Sequence, residues 1–134
     1  MQTLGAVSVQ RPVVLIVDDD AAVRNSLRFS LQVEGFAVDD YRDGNDLLSK
    51  AELPRGDCLV LDYHLPDMTG LDVLGQLRER HMSVPAILIT SHPSQKLRER
   101  AAVAGARVVE KPLFGDALIE SIRAALAEAP PAGD

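Results

Sequence analysis

The sequence predicts a single α/β domain built on an open parallel β-sheet with helices on both faces. Five short apolar runs rich in β-branched residues recur along the 134 residues, and segments with helical spacing lie between them. Strands that are apolar throughout are typical of a sheet covered on both faces. Regular alternation of strand and helix is typical of βαβ units, and the length suits one domain.

The apolar runs are expected to form the strands of this sheet. They cover residues 13–17, 36–38 with its flank, 58–61, 86–89 and 108–109. Cys58, the only cysteine of the chain, lies inside the third run. We therefore expect it to be a small buried side chain rather than a reactive thiol.

Five helices are expected to alternate with these strands. In the first, apolar residues repeat at i, i+4 and i+8, and Gly35 follows as a stop signal. A short second helix is expected at residues 46–51. The apolar positions that mark the four longer helices are Val23, Leu27 and Leu31, then Leu71, Leu74 and Leu77, then Leu97, Ala101 and Ala104, and finally Leu118, Ile122 and Leu126.

Composition and the chain ends limit the classes of protein. The formal net charge of −6 argues against a nucleic-acid surface. No apolar run approaches the ~20 residues that span a bilayer, and the N-terminus lacks the pattern of a signal peptide, so a cytoplasmic protein is expected. We expect a lead-in at residues 1–12, the domain at 13–127 and a tail or linker stub at 128–134, where prolines prevent a helix.

Polar residues follow four of the predicted strands. The first strand is followed by Asp18, Asp19 and Asp20, and the others lead into Asp62, Thr90–Ser91 and Lys111. In open α/β sheets the ligand site lies beyond the carboxyl ends of the strands. These side chains are therefore expected to meet at one edge of the sheet.

Their chemistry suits a metal and a phosphoryl group. Carboxylates held together repel one another unless a cation intervenes, and Mg²⁺ takes carboxylates, waters and a phosphate oxygen. Lys111 and the Thr90 hydroxyl would contact other phosphate oxygens, while a carboxylate beside the metal can attack phosphorus. Each residue alone has a simpler interpretation: Asp20 as the N-cap of the first helix, for instance, or Thr90 and Ser91 as caps of a later one. The joint occurrence at four strand ends favours the site.

Four segments carry a family resemblance. VLIVDDD (14–20), LVLDYHLPDMTG (59–70), ILITS (87–91) and EKPL (110–113) resemble the motifs of response-regulator receiver domains of two-component signalling. The resemblance runs from about Val13 to Leu126. It implies an open, doubly wound, flavodoxin-like sheet of five parallel strands in the order 2-1-3-4-5, with five helices on both faces.

The resemblance assigns a role to each matching residue. Asp62 matches the phosphoacceptor. Asp18 and Asp19 match the acidic pair that binds Mg²⁺, for which Mn²⁺ can substitute, with Asp19 favoured as the direct ligand. The main-chain carbonyl of His64 completes the metal coordination. Asp20 matches a position where an acidic residue is frequent but not required.

The remaining motif residues match groups that respond to the phosphoryl group. Thr90 matches the hydroxyl that moves toward it. Lys111 matches the invariant lysine, and its peptide bond with Pro112 resembles one that is cis in the family.

Partners also follow from the resemblance. The donor is a histidine on a sensor kinase or phosphotransfer protein, which docks on the helix that begins near Ala21. Residues 94–123, from the fourth helix to the last, resemble the output face, with phosphorylation-dependent homodimerisation as one hypothesis. Such a regulator is not an enzyme with a separate substrate but catalyses its own phosphotransfer and autodephosphorylation. We expect either an output domain outside this chain or a stand-alone receiver, and favour a receiver without an output domain here.

Three positions differ from the common family pattern or are left open by it. Val108 occupies the place, three residues before the lysine, where many members carry a Tyr or Phe that moves with the threonine. The interval from Gly105 to Lys111 is one residue shorter than usual. His64 and His92 lie two residues after Asp62 and Thr90, where family members tune the phosphoryl lifetime, although solvated loop histidines are the favoured interpretation.

Two other functions compete with this interpretation. Asp18-x-Asp20 has the spacing of haloacid-dehalogenase-like phosphatases, but Ala22 departs from their pattern and no second acidic cluster follows a late strand. A pseudo-receiver that is never phosphorylated typically lacks an acidic residue, the acceptor or the lysine, and this chain keeps them all. Only Val108 points toward it.

Overall fold

A computed structural model describes residues 11–113 and 116–128. Five parallel strands form one sheet in the order β2-β1-β3-β4-β5, as predicted. The strands are β1 (Val13–Val17), β2 (Ala37–Tyr41), β3 (Cys58–Asp62), β4 (Ala86–Thr90) and β5 (Ala106–Glu110). The helices are α1 (Ala21–Val33), α2 (Gly44–Leu48), α3 (Gly70–Glu79), α4 (Gln95–Val103) and α5 (Ala117–Glu128).

Alternating side chains of the central strands divide the core into two layers. Leu15 and Val17 of β1 point to the layer that contains α2, α3 and α4. Val14 and Ile16 point to the layer that contains α1 and α5. This period of two follows from strand geometry, and helices on both faces explain why the strands are apolar throughout.

The layers confirm several core predictions. Leu118 and Ile122 of α5 are buried, and Leu126 packs against the same cluster while partly exposed. Cys58 is completely buried, and burial raises the pKa of its thiol to about 12. The thiol is therefore protonated at neutral pH, as the sequence predicts for a core cysteine.

Several predicted boundaries were wrong, including those of β5, which covers Ala106–Glu110 rather than 108–109. β2 begins at Ala37 and continues through Asp39 and Asp40 to Tyr41, because its pairing with β1 extends over all five positions. α2 covers Gly44–Leu48 rather than 46–51. α5 includes Glu128, which the sequence assigned to the tail.

The predicted chain ends are only partly covered. Most of the lead-in at 1–12 and the tail from 129 onward lie outside the described residues. In the part of the chain that is described, none of the helices is long and apolar enough to cross a membrane.

Candidate functional site

The buried polar side chains of the described chain lie at one edge of the sheet. Asp18 follows β1, Asp62 ends β3 and Thr90 ends β4, and they are 4%, 4% and 1% exposed. Parallel pairing of these strands places their carboxyl ends side by side. Polar groups are buried at a cost unless they have partners, so three together mark this edge as a candidate site.

Three carboxylates form a cluster there. One oxygen each from Asp18, Asp19 and Asp62 lies within 4.8 Å of the others, with Asp19 exposed and the other two buried. Burial is the largest cause that raises the pKa of Asp18 above 3.8, the charge of Asp62 raises it further, and a hydrogen bond from the Asp20 N–H lowers it. A cation at the cluster would favour the ionised form of Asp18.

The donors fit a hard divalent cation. All three side chains offer carboxylate oxygen, which Mg²⁺ prefers over nitrogen or sulfur, and a Mg²⁺ site commonly uses one or two carboxylates with waters. The exposed position of Asp19 leaves one side of the cluster open to water and to a ligand.

Asp20 does not join this cluster. Its Oδ1 accepts hydrogen bonds from the N–H groups of Ala22 at 2.9 Å and Val23 at 3.4 Å, which makes it the N-cap of α1. The simpler interpretation of Asp20 was therefore right. Its backbone N–H also donates to Asp18 Oδ1 at 2.9 Å and so orients that carboxylate.

Asp62 lies between two donors. Lys111 Nζ is 3.2 Å from Asp62 Oδ2, and the backbone N–H of His64 donates to Asp62 Oδ1 at 3.1 Å. The Asp62 side chain is 5% exposed, whereas that of Lys111 is 33% exposed. The carboxylate is thus held in a fixed orientation with an ammonium group reaching it from solvent.

Thr90 and Lys111 are joined through the backbone. The Lys111 N–H donates to the Thr90 carbonyl at 2.9 Å, and Thr90 Oγ1 accepts from the N–H of His92 at 3.3 Å. The Lys111–Pro112 peptide bond is cis. Ser94, not Thr90 or Ser91, caps α4, so the capping alternative for those two residues was wrong.

The flanking positions are less engaged. His64 and His92 are exposed, and the His64 ring meets Tyr63 edge-on at 4.8 Å between centroids. Val108 is half-buried opposite Leu88 of β4 and packs against the layer of α2, α3 and α4. Their roles in signalling stay predictions.

Sequence reasoning missed two residues that shape this edge. Arg24 of α1 donates to the Asp18 carbonyl at 2.7 Å. Gly70, the last residue of the LVLDYHLPDMTG segment, lies so close to β3 that a Cβ there would be 2.6 Å from the Asp62 carbonyl oxygen. The glycine that closes LPDMTG was a usable signal for the second, whereas one arginine in a helix is not a specific signal.

An apolar cavity opens next to the site. It has a volume of about 720 Å³ and lies between α1, residues 111–113 and the first turn of α5. Val23, Leu27, Leu113 and Ile119 line it, and Lys111 lies at its border. An apolar hollow beside a charged site offers a place for a partner's side chains.

Comparison with protein families finds a family whose model matches most of this chain. A family described as the response regulator receiver domain matches residues 14–123. Transcriptional regulatory protein FixJ of Rhizobium meliloti (strain 1021) is 38% identical over 113 residues, which are 84% of this chain and 55% of FixJ. Response regulator MprA of Mycobacterium avium (strain 104) is 38% identical over 122 residues, which are 90% of this chain and 54% of MprA. The chain spans about half the length of the curated relatives it matches.

Solved structures give the same result. A CheY-like response regulator receiver domain protein from Methanospirillum hungatei JF-1 superposes with a TM-score of 0.81 at 29% identity, covering 89% of this chain and 96% of that one. Response regulator TrrA from Thermotoga maritima, solved in complex with Mg²⁺-BeF, superposes with a TM-score of 0.75 at 29% identity, covering 86% and 99%.

Proposed function

This chain belongs to the response regulator receiver domain family, and from that premise we propose that it is a phosphorylation-dependent switch with Asp62 as the phosphoacceptor. The observation that carries the proposal is the setting of the Asp62 carboxylate. It is buried beside Asp18 and Asp19, and Lys111 Nζ and the His64 N–H hold its two oxygens.

The reaction needs little covalent chemistry from the protein. An Asp62 oxygen forms a bond to phosphorus while the P–N bond of the donor's phosphohistidine breaks, and the leaving imidazole takes up a proton. Lys111 neutralises charge on the phosphoryl oxygens, and the Thr90 hydroxyl donates a hydrogen bond to one of them. Hydrolysis of the acyl phosphate by water returns the switch to its starting state.

Mg²⁺, or Mn²⁺ in its place, would be held by the carboxylates of Asp18, Asp19 and Asp62 and by the main-chain carbonyl of His64. A bound divalent ion supplies positive charge to the acidic cluster and to the phosphoryl oxygens. The support is the oxygen-only donor set and the closeness of the three carboxylates. TrrA, a relative of the same fold, is described in complex with Mg²⁺-BeF.

The donor is expected to be a histidine kinase or a histidine phosphotransfer protein that docks on α1. The cavity beside Lys111 supports this position, because it presents apolar α1 side chains next to the acceptor. Phe29 and Val33 of the same helix are apolar and are 70% and 67% exposed. A partner helix laid against α1 would bury them.

The output surface is expected to be α4–β5–α5. Thr90 connects the site to β5, because its carbonyl accepts the Lys111 N–H directly after that strand. Val108 cannot supply the aromatic movement common in the family, so we assign the response to Thr90 and the segment around Lys111. Two outcomes are to be tested. Signalling could occur through a homodimer formed by this face, or through an output domain, for which the greater length of the relatives leaves room.

Intact-protein mass spectrometry after treatment with phosphoramidate and Mg²⁺ tests the proposal. We expect one phosphoryl adduct that requires Mg²⁺, is lost in hydroxylamine and is absent from Asp62→Asn. Asp39→Asn, which changes an exposed aspartate of β2, is the matched control and should still be modified. If no adduct forms, a beryllofluoride titration distinguishes rapid hydrolysis, in which the analogue binds, from a pseudo-receiver, in which it does not. The latter result would overturn the proposal.

A further inference from the structure

The loop of residues 63–69, which follows Asp62, is closed at its base. The Gly70 N–H donates to the Tyr63 carbonyl at 2.8 Å, and an antiparallel bridge pairs His64 with Thr69. The base therefore has its own hydrogen bonds, whereas Pro66 and Asp67 at the tip are exposed. His64 belongs to the base, and the contacts of the tip place a second constraint on it.

The tip is bound to α2 through one carboxylate. Asp67 Oδ1 accepts from the Gly44 N–H at 3.2 Å and Oδ2 accepts from the Asn45 N–H at 2.8 Å. These are first-turn donors that have no partner within the helix, and a negative charge is favoured at that end. Asp43, the local N-cap, binds a different donor, the Asp46 N–H at 2.8 Å. α2 thus has one cap from its own chain segment and one from the loop.

A close backbone approach reinforces this contact. A Cβ at Gly44 would lie 2.8 Å from Met68 Sδ and 2.9 Å from Val73 Cγ2. Only glycine leaves room for Met68 to pack over the start of α2. Two neighbouring loop residues, one polar and one apolar, therefore contact the same helix end.

α2 itself is fixed in the fold. Leu47 and Leu48 are 0% and 6% exposed and belong to the core layer. At the other end of the helix, Arg80 donates to the Leu48 carbonyl at 2.6 Å. The loop tip is consequently attached to a helix that is packed into the core.

We propose that Asp67 is a positioning residue for the phosphoacceptor site. By binding the tip to α2, it helps to hold His64, whose N–H donates to Asp62 Oδ1 and whose main-chain carbonyl is the metal ligand proposed above. The role of that carbonyl as a metal ligand is taken from the proposed function, and this part of the proposal rests on it. The contacts that carry the proposal do not depend on that role: Asp67 is bonded to α2, the loop chain connects Asp67 to His64, and the His64 N–H is bonded to Asp62.

Asp67→Ala and Asp43→Ala form the test, because each removes a carboxylate from the same helix end and only the first frees the loop. For Asp67→Ala we expect Mg²⁺ affinity, measured by calorimetry, to fall about tenfold, the lower end for partners that orient metal ligands. At saturating Mg²⁺ the maximal rate with phosphoramidate should also fall, with KM little changed, and the His64 amide should exchange faster. Asp43→Ala should keep the affinity and the rate.

Asp67→Asn retains one acceptor oxygen and should recover part of the loss, and it replaces Asp67→Ala if that variant does not fold. If the Asp67 variants match the wild type in Mg²⁺ affinity and in His64 amide exchange while losing folding stability, Asp67 is only a helix cap and the inference is wrong. A wild type that binds Mg²⁺ but takes no phosphoryl group would refute the proposed function instead, and the affinity and exchange results would still decide the role of Asp67.

Discussion

Lys111 Nζ lies 3.2 Å from Asp62 Oδ2 and forms the ion pair with the most buried carboxylate among the described residues. The Asp62 side chain is 5% exposed, while the carboxylates of the other ion pairs are at least 26% exposed. Removing one partner of a buried pair leaves an uncompensated charge. The pair therefore links the chemistry of the site to its stability.

Lys111→Ala is expected to slow phosphorylation of Asp62 roughly 100-fold at saturating Mg²⁺, the scale for losing one preorganised donor to developing charge. Rates with phosphoramidate, followed by intact mass, measure the effect. Arg107→Ala removes a cation from the adjoining strand β5 and its surface ion pair with Glu128, and should leave the rate unchanged. Equal rates in wild type and Lys111→Ala would refute a role for the ammonium group.

Asp18→Asn is expected to stabilise the Mg²⁺-free protein at neutral pH. The pKa of Asp18 is raised above 3.8, chiefly by burial, so the folded state holds this proton more tightly than the unfolded state. Its contribution to stability is present below pH 3.8 and is lost as pH rises through the folded pKa. The advantage of the variant in urea unfolding should therefore shrink as pH is lowered toward 3.8.

Mg²⁺ should reverse that ranking. A ligand at 100 times its Kd stabilises the folded state by about 2.7 kcal/mol, and the variant binds Mg²⁺ more weakly and should gain less. Asp39→Asn, at an exposed position, is the control that should show neither effect. An Asp18→Asn protein less stable than wild type without Mg²⁺ at pH 7 would contradict the assignment of burial as the dominant cause.

Gly70→Ala is expected to destabilise the fold by about 1–3 kcal/mol, the usual cost of forcing a methyl group into a packed site. Its Cβ would meet the Asp62 carbonyl oxygen at 2.6 Å and Leu88 Cδ1 at 2.7 Å. Gly75→Ala in the same helix meets nothing within 4 Å and should stabilise by up to about 1 kcal/mol through helix propensity. Urea unfolding of both variants gives the comparison, and a shift of the same sign in both would refute the steric account.

The sequence alone predicted the sheet and its polar edge because both depend on local patterns, namely apolar runs that end at polar residues. Asp18, Asp62 and Thr90 each follow or end a continuous apolar run, so the strand ends could be identified without knowing any tertiary contact. Parallel topology then places the ends together. The observed strand order confirms the fold class, and the family comparison confirms the family. The roles of the individual residues stay predictions.

The missed features depend on contacts distant in sequence. α2 begins at Gly44 with Asp43 as its local N-cap, and Asp67, more than twenty residues later, accepts hydrogen bonds from the Gly44 and Asn45 N–H groups; only this second contact has no local sequence pattern. β2 continues through Asp39 and Asp40 because β1 pairs with it, although two aspartates are poor strand formers. An edge strand tolerates them, since one of its faces is partly open to water.

His81→Gly is expected to stabilise the protein by roughly 1 kcal/mol. His81 has φ +65°, a left-handed conformation that costs a residue with a Cβ about 1–2 kcal/mol. Glycine removes this strain, but its greater conformational freedom in the unfolded state offsets part of the gain. It follows α3 in a Schellman motif, in which the His81 N–H donates to the Arg78 carbonyl at 2.9 Å and the Met82 N–H to the Leu77 carbonyl at 3.0 Å. Urea unfolding at constant m-value measures the change.

Gly35→Ala is the reciprocal variant at the end of α1. Gly35 has φ +96° and the same motif, with the Gly35 N–H donating to the Gln32 carbonyl and the Phe36 N–H to the Leu31 carbonyl, each at 3.0 Å. A Cβ there meets nothing within 4 Å, so the expected loss of about 1 kcal/mol comes from the backbone conformation alone. Opposite signs in the two variants would assign both effects to the left-handed position. A destabilised His81→Gly protein would instead show that the exposed imidazole makes a contribution larger than the strain it imposes.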